Sequence, residues 1–249
     1  MNIVVCCKVV PDDQDIQVAG DRTLDYSKAK PVVSTYDLNA LEDAAQLADG
    51  GRVVAVTAGP TSIDDSKLKK NVLARGVDEL FMAADDACAS MDARATAEAL
   101  AGVLGRAGEY DLVLCGDGSA DDYAQQVDVQ LAARLGLPSV NGVVRIVPEG
   151  SSILVERALE DVVETVRVPL PAVVSVSPDI ALPRIPGMKD ILAAGKKPMD
   201  VAAAEAAPAA SLETVSCLAP QQVDRKLEIM DAADDGAVEK FAAALKAAL

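Results

Sequence analysis

The stretch Gly116-Asp117-Gly118-Ser119-Ala120-Asp121-Asp122, running into Tyr123-Ala124-Gln125-Gln126, gathers the residue types best suited to holding a ligand. Its glycines let backbone amides approach a bound group closely, and a helix starting after it would favour an anion. Three aspartates pull the other way, because they repel phosphate unless they are paired. The string is neither GxGxxG nor GxxxxGK[ST], so its spacing admits both a nucleotide-binding loop and a plain helix-capping turn. Lys8 ends an apolar run and could meet a phosphate, although a strand-end lysine ordinarily reaches solvent. Cys6, Cys7 and Cys115 fall in apolar runs and read as core packing rather than redox chemistry. The acid pairs Asp12-Asp13, Asp64-Asp65 and Asp85-Asp86 read as solvated turns and helix starts. No nucleophile–base pair and no paired-carboxylate site is visible. These residues equip a protein to bind, not to do acid/base or nucleophilic catalysis.

Composition narrows the field further. The 249 residues contain no His, which removes every His-dependent triad and His-liganded zinc site. A formal charge of −16 argues against binding nucleic acid or an anionic membrane surface. There is no Trp, and with four Tyr and two Phe a base-stacking platform is not expected. The five cysteines are odd in number and form no CxxC, so neither a disulfide framework nor a thiolate metal site is expected. The N-terminus enters an apolar run without a basic segment, and no apolar stretch approaches 18 residues. A cytoplasmic location is the expectation.

The elements that must position these residues are legible as alternation. Apolar runs at 3–9, 52–57, 79–83 and 111–115 lack strict alternation, as strands buried on both faces of a parallel sheet do. Helical spacing separates them: 37–48, with Ser34 and Asp37 at capping-box distance, then 66–75, 92–104 and 122–135. Four repeats of strand and helix predict a doubly wound, mostly parallel α/β sheet. Segments 140–147, 153–159 and 165–168 predict an antiparallel extension, and 171–176 one more buried strand. Residues 1–195 then form one domain. Residues 196–249 read as an arm, Ala/Pro-rich over 201–210. Its final helix, 236–249, is expected to bury Phe241, Ala244 and Leu245 or Leu249. In a doubly wound sheet, ligands sit at the carboxyl ends of the strands. That selects Cys6-Cys7-Lys8-Val9, Thr57-Ala58-Gly59-Pro60 and the loop at 116–122.

Several strings in this order carry a family resemblance. Ile3-Val4-Val5-Cys6-Cys7-Lys8-Val9-Val10-Pro11-Asp12 resembles an opening "VxVKxVPD". Ser34-Thr35-Tyr36-Asp37-Leu38-Asn39-Ala40-Leu41-Glu42 resembles the start of "NPxxxxAxEEA", and Asn71 to Asp78 resembles "ALAMGAD". Gly116 to Gln126 falls on "GKQAIDxDxxQ". Val155-Glu156-Arg157 through Glu164, then Leu170-Pro171-Ala172-Val173-Val174-Ser175, follows a family signature. Pro183-Arg184-Ile185-Pro186-Gly187-Met188-Lys189 and Lys196-Lys197-Pro198 resemble "EPRYxxLxxIMKAKKKP". In these features the chain resembles the β subunits of electron transfer flavoproteins, and within them the Fix-type subgroup linked to anaerobic acyl-CoA metabolism.

The resemblance implies a Rossmann-like adenine-nucleotide-binding fold and an electron carrier without turnover of its own. It implies a heterodimer with an α subunit that carries most of a shared FAD, and exchange of electrons with flavin-dependent, acyl-CoA-type dehydrogenases or reductases. The β subunit of such a pair holds AMP or, in bifurcating members, a second FAD. Carried onto this sequence, the nucleotide contacts are Cys6, Lys8, Ser34, Thr35, Tyr36, Asp37, Ala58, Gly116, Asp117, Gly118, Ser119, Asp121, Asp122, Ala124, Gln125, Gln126 and Val127. The apolar residue that anchors the dehydrogenase falls at Met188, and the arm wraps the α subunit. The chain departs from the family pattern at Asp117-Gly118-Ser119, at Ser34-Thr35 and at Asp121 to Val127, where bifurcating members read "DGDTxQVGP". An alternative is a stand-alone adenine-nucleotide sensor of the universal-stress-protein type. That alternative expects a late G-x2-G-x9-G-[ST] loop, which is not visible, and leaves the arm unexplained.

Overall fold

The computed structural model describes residues 1–205, 209–222 and 227–248. In chain order the elements are β1 (Ile3–Cys6), β2 (Val9–Pro11), β3 (Gln17–Val18), β4 (Leu24–Asp25), β5 (Pro31–Val33), α1 (Thr35–Leu47), β6 (Val53–Gly59), α2 (Ser66–Leu73), β7 (Glu79–Ala84), α3 (Ala93–Ala107) and β8 (Leu112–Gly116). They continue with α4 (Val127–Leu135), β9 (Ser139–Glu149), β10 (Ser152–Ala158), β11 (Val163–Pro169), β12 (Ala172–Val176), α5 (Met188–Ala194), β13 (Met199–Ala202) and α6 (Ala237–Ala248).

Nine strands form one sheet in the order β11-β10-β9-β12-β8-β1-β6-β7-β13. Strands β9 to β13 through the centre run parallel, and β10 and β11 add the expected antiparallel extension. The central strands are buried on both faces because side chains alternate across them. Ile3 and Val5 enter the core beneath α1 and α2, while Val4 and Cys6 enter the core beneath α3 and α4. The doubly wound architecture expected from the alternation is therefore present.

Four local expectations need correction. The run 3–9 is not one strand: the Lys8 amide donates to the Asp37 carboxylate at 2.7 Å, and the chain turns off to pair β2 with β5. The small hairpin of β3 and β4 follows, in a region whose polar sequence gave no strand signal. Ser34 occupies the cap position of α1 but its hydroxyl makes no capping bond, because it accepts from the Ala120 amide at 3.3 Å. The fourth helix starts at Val127, not at 122. Tyr123 and Gln125 hold positive φ values of 47° and 54°, which no α-helix allows.

The segment beyond 195 begins in the body of the sheet, where β13 pairs with β7. Further on, Arg94 donates to Ser211 Oγ and the Ala209 carbonyl, each at 2.7 Å. Asp92 accepts from the Leu212 amide at 3.0 Å. The helix at the end forms, but its side chains are not buried as expected. Val238, Phe241 and Leu245 make an exposed stripe at helical spacing, Ala244 is exposed too, and Leu249 lies outside the described residues.

Candidate functional site

The chain winds away from β1 in two directions, through β6 and β7 to one side and through β8 and β12 to the other. A crevice at the carboxyl ends of the strands follows from that reversal. Its space, open mouth included, amounts to about 740 Å³. Its walls come from Cys6, Cys7 and Lys8 after β1, Ala58 in β6, the start of α3, and the loop that follows β8.

That loop is built around Asp37. The carboxylate is buried at the first turn of α1 and accepts from the amides of Lys8 at 2.7 Å and Gly116 at 3.3 Å. Burial outweighs these bonds and pushes its pKa up to about 7. Gly116 has no room for a side chain: a Cβ there would lie 2.8 Å from Asp37 Oδ1 and 2.9 Å from the Tyr36 backbone. Gly118 is pressed by Tyr123, whose ring would be 2.2 Å from a Cβ. The Tyr123 ring also meets the Tyr36 ring, with centroids 5.1 Å apart, an ordinary offset aromatic contact.

Two of the loop's three carboxylates are paired, which answers part of the difficulty they posed in the sequence. The Lys8 ammonium lies 2.7 Å from Asp121 and 3.7 Å from Asp122. The Ser119 hydroxyl donates within the same acidic group, lying 2.5 Å from Asp121 and 2.7 Å from Asp122. Burial raises the Asp121 pKa, but the bonds from Lys8 and Ser119 prevail and hold it below the ordinary carboxylate value. The Tyr123 hydroxyl donates to Asp117 Oδ2 at 3.2 Å, whereas the buried Asp117 Oδ1 has no partner among the described residues. Burial pushes the Asp117 carboxyl up. Helix α4 starts at the crevice, and its cap residue Gln126 gives no side-chain bond. The first-turn amides of a helix carry partial positive charge, and Gln126, Val127 and Asp128 at this start line the cavity.

Of the residues singled out in the sequence, Cys6, Lys8, Asp37, Ala58, Gly116, Asp117, Gly118, Ser119, Asp122, Ala124, Gln125, Gln126 and Val127 line this one crevice. Ser34, Tyr36 and Asp121 stand behind them, holding Ala120, Tyr123 and Lys8 respectively. Thr35 is the first residue of α1 and does not line the cavity. Met188 does not line the crevice and is 73% exposed at the start of α5. Sequence reasoning missed Met91, Asp92, Ala93 and Thr96, which belong to the loop after β7 and the start of α3. Asp92 before an Ala-rich helix was the available signal. Asp128 was missed too; it is buried in the first turn of α4 and accepts from Ser175 Oγ at 2.5 Å.

The family model for the electron transfer flavoprotein domain matches residues 23–207, well over half of the chain. The chain belongs to the electron transfer flavoprotein family. Proteins of this family are flavin-dependent electron carriers. The matched span holds the loop after β8, the start of α1 and the exposed segment at Met188, while Lys8 lies before it. Among the described residues no helix is long and apolar enough to cross a membrane, and no group of three or more Cys, Asp or Glu could hold a metal ion.

Proposed function

We propose that this chain is the β subunit of an electron transfer flavoprotein of the Fix-type subgroup, working in the cytoplasm as an αβ heterodimer. The observation that carries the reading is the single crevice at the carboxyl ends of β1, β6 and β8, walled by Lys8, Asp37 and residues 116–127. The crevice suits an adenine nucleotide. The start of α4, which no side chain of Gln126 caps, offers amides to a phosphate, and the Asp117 carboxyl lines the same crevice. Lys8 offsets part of the charge of Asp121 and Asp122, which lessens the repulsion the acidic loop exerts on a phosphate. The nucleotide is AMP or a second FAD. The redox chemistry of the complex is supplied by FAD shared with the α subunit when bound. This chain's own residues bind, exclude water and present surfaces to partners; none is assigned a catalytic role.

Two exposed apolar surfaces support the partner roles. Leu182, Ile185 and Met188 stand out from the segment between β12 and α5, with exposures of 90%, 94% and 73%. Here Met188 serves as the anchor for a flavin-dependent dehydrogenase or reductase. The stripe Val238, Phe241 and Leu245 on α6 lies in the arm, 196–249, and is assigned to the α subunit. Residues 1–195 form the nucleotide-binding domain.

A cofactor count tests the proposal. The chain is co-produced with its α subunit, and the purified complex is denatured and analysed for FAD and AMP. One of each per heterodimer fits a single-flavin shuttle. Two FAD and no AMP make the crevice a flavin site. AMP or ATP bound to this chain without a heterodimer would replace the proposal with the stand-alone sensor.

A further inference from the structure

The docking segment has no core of its own. Residues 181–187 form no regular secondary structure, and Leu182 and Ile185 face solvent. Ordering such a stretch costs backbone entropy, so contacts elsewhere must hold it. They come from the middle of α1. The Asn39 amide group donates to the carbonyl of Pro178 at 3.1 Å and to that of Ala181 at 2.8 Å. One turn on, Glu42 accepts from Arg184 three times: from Nε at 2.6 Å, from Nη2 at 3.0 Å and from the backbone amide at 3.1 Å. Arg75 closes the arrangement by donating to the Arg184 carbonyl at 2.5 Å.

These are costly positions for polar side chains. Asn39 and Glu42 are each only 7% exposed, in a helix that also buries Asp37, Ala40, Leu41, Asp43 and Ala44. A buried amide and carboxylate are retained only where their bonds are made. Both N–H groups of the Asn39 amide are used on the segment, and both Glu42 oxygens face Arg184. Their three-residue spacing puts them on one side of α1. The segment is thus gripped on either side of Leu182, at 178–181 and at 184.

We infer that Asn39 and Glu42 are positioning residues for partner docking, setting through Pro178, Ala181 and Arg184 the conformation in which Leu182, Ile185 and Met188 meet the dehydrogenase. This rests on the assignment of Met188 as the docking anchor. Neither residue touches the nucleotide crevice, so their role is separable from cofactor binding.

The test uses the intact αβ complex and the flavin dehydrogenase that reduces it, with Asn39→Ala, Glu42→Gln, Arg184→Ala and Met188→Ala. Arg184 is on the exposed side of the contact, so its variant probes the same grip without disturbing the helix. For Asn39→Ala, Glu42→Gln and Arg184→Ala, KM for the dehydrogenase should rise roughly tenfold, the size of one or two lost hydrogen bonds. Their kcat, flavin spectrum and nucleotide content should stay as in the parent. Adding Glu42→Gln to Arg184→Ala should raise KM no further, because both remove the same contact. Tryptic cleavage after Arg184 or Lys189 should quicken in Asn39→Ala and Glu42→Gln without any partner present. If Met188→Ala raises KM while the other three leave it unchanged, the positioning role is wrong and the docking anchor stands. If Met188→Ala itself leaves KM unchanged, the docking anchor is wrong and the positioning role falls with it.

Discussion

Asp43 gives the sharpest test of the electrostatics of this fold. It lies in α1, 6% exposed, and its Oδ2 has no hydrogen-bond partner among the described residues. Burial, and then repulsion by the neighbouring Glu42, push its pKa from 3.8 up to about 7. The folded state therefore holds a proton that the unfolded chain has already lost. Stability contributed by that proton is present below the unfolded pKa and is lost as pH rises through about 7. Between pH 5 and pH 8 the loss spans about two pKa units, or about 3 kcal/mol. Asp37, also raised to about 7, moves stability in the same direction over the same window. The carboxylates that hydrogen bonds hold below their ordinary values, Asp21, Asp25, Asp65, Asp86 and Asp92, titrate at lower pH and do not oppose it.

The perturbation is Asp43→Asn. Asn keeps the shape and removes the titration, so the variant should gain on the parent by about 3 kcal/mol in going from pH 5 to pH 8. Comparing the two pH values cancels whatever the Asn amide costs by itself. The assay is urea unfolding of the full chain followed by far-ultraviolet circular dichroism, since the sequence has no Trp to report by fluorescence. The parent should become more stable as pH falls from 8 to 5, the reverse of an ordinary salt-bridged protein. A variant-minus-parent difference that is the same at both pH values would refute the reasoning.

Gly116→Ala forces a Cβ against Asp37 and the Tyr36 backbone, and overpacking of this kind costs about 1–3 kcal/mol. Its thermal midpoint should drop, and co-purified nucleotide, read at 260 nm after denaturation, should fall. Lys8→Met leaves Asp121 and Asp122 without their cation, so nucleotide affinity measured by calorimetry should weaken by roughly tenfold or more. Ser175→Ala strands a buried Asp128 oxygen and should destabilise the chain by about 1–3 kcal/mol in urea, with the effect absent in an Asp128→Asn background if the pair acts as one unit.

What could be read from the sequence divides along a physical line. The central sheet was legible because burial on both faces forces runs of Val, Leu and Ile, as at Ile3–Cys6 and Leu112–Gly116, and runs are a local signal. The loop after β8 was legible because close backbone approach demands glycine, and Gly116 and Gly118 are where a Cβ would collide. The rest depended on contacts distant in sequence. Nothing near Asp37 announces that its carboxylate will bind Lys8 and Gly116, 29 and 79 residues away. Nothing near Ser34 announces that its hydroxyl will take the Ala120 amide in place of a helix cap. The same reasoning explains the late start of α4. Propensity would carry a helix through Ala124 and Gln125, but pairing of Lys8 with Asp121 and packing of Tyr123 on Gly118 and Tyr36 hold that stretch out of it. A local rule fails there because a tertiary one prevails, and it fails at the wall of the crevice. The positive φ values of Tyr123 and Gln125 mark the stretch kept out of the helix before α4 starts at Val127.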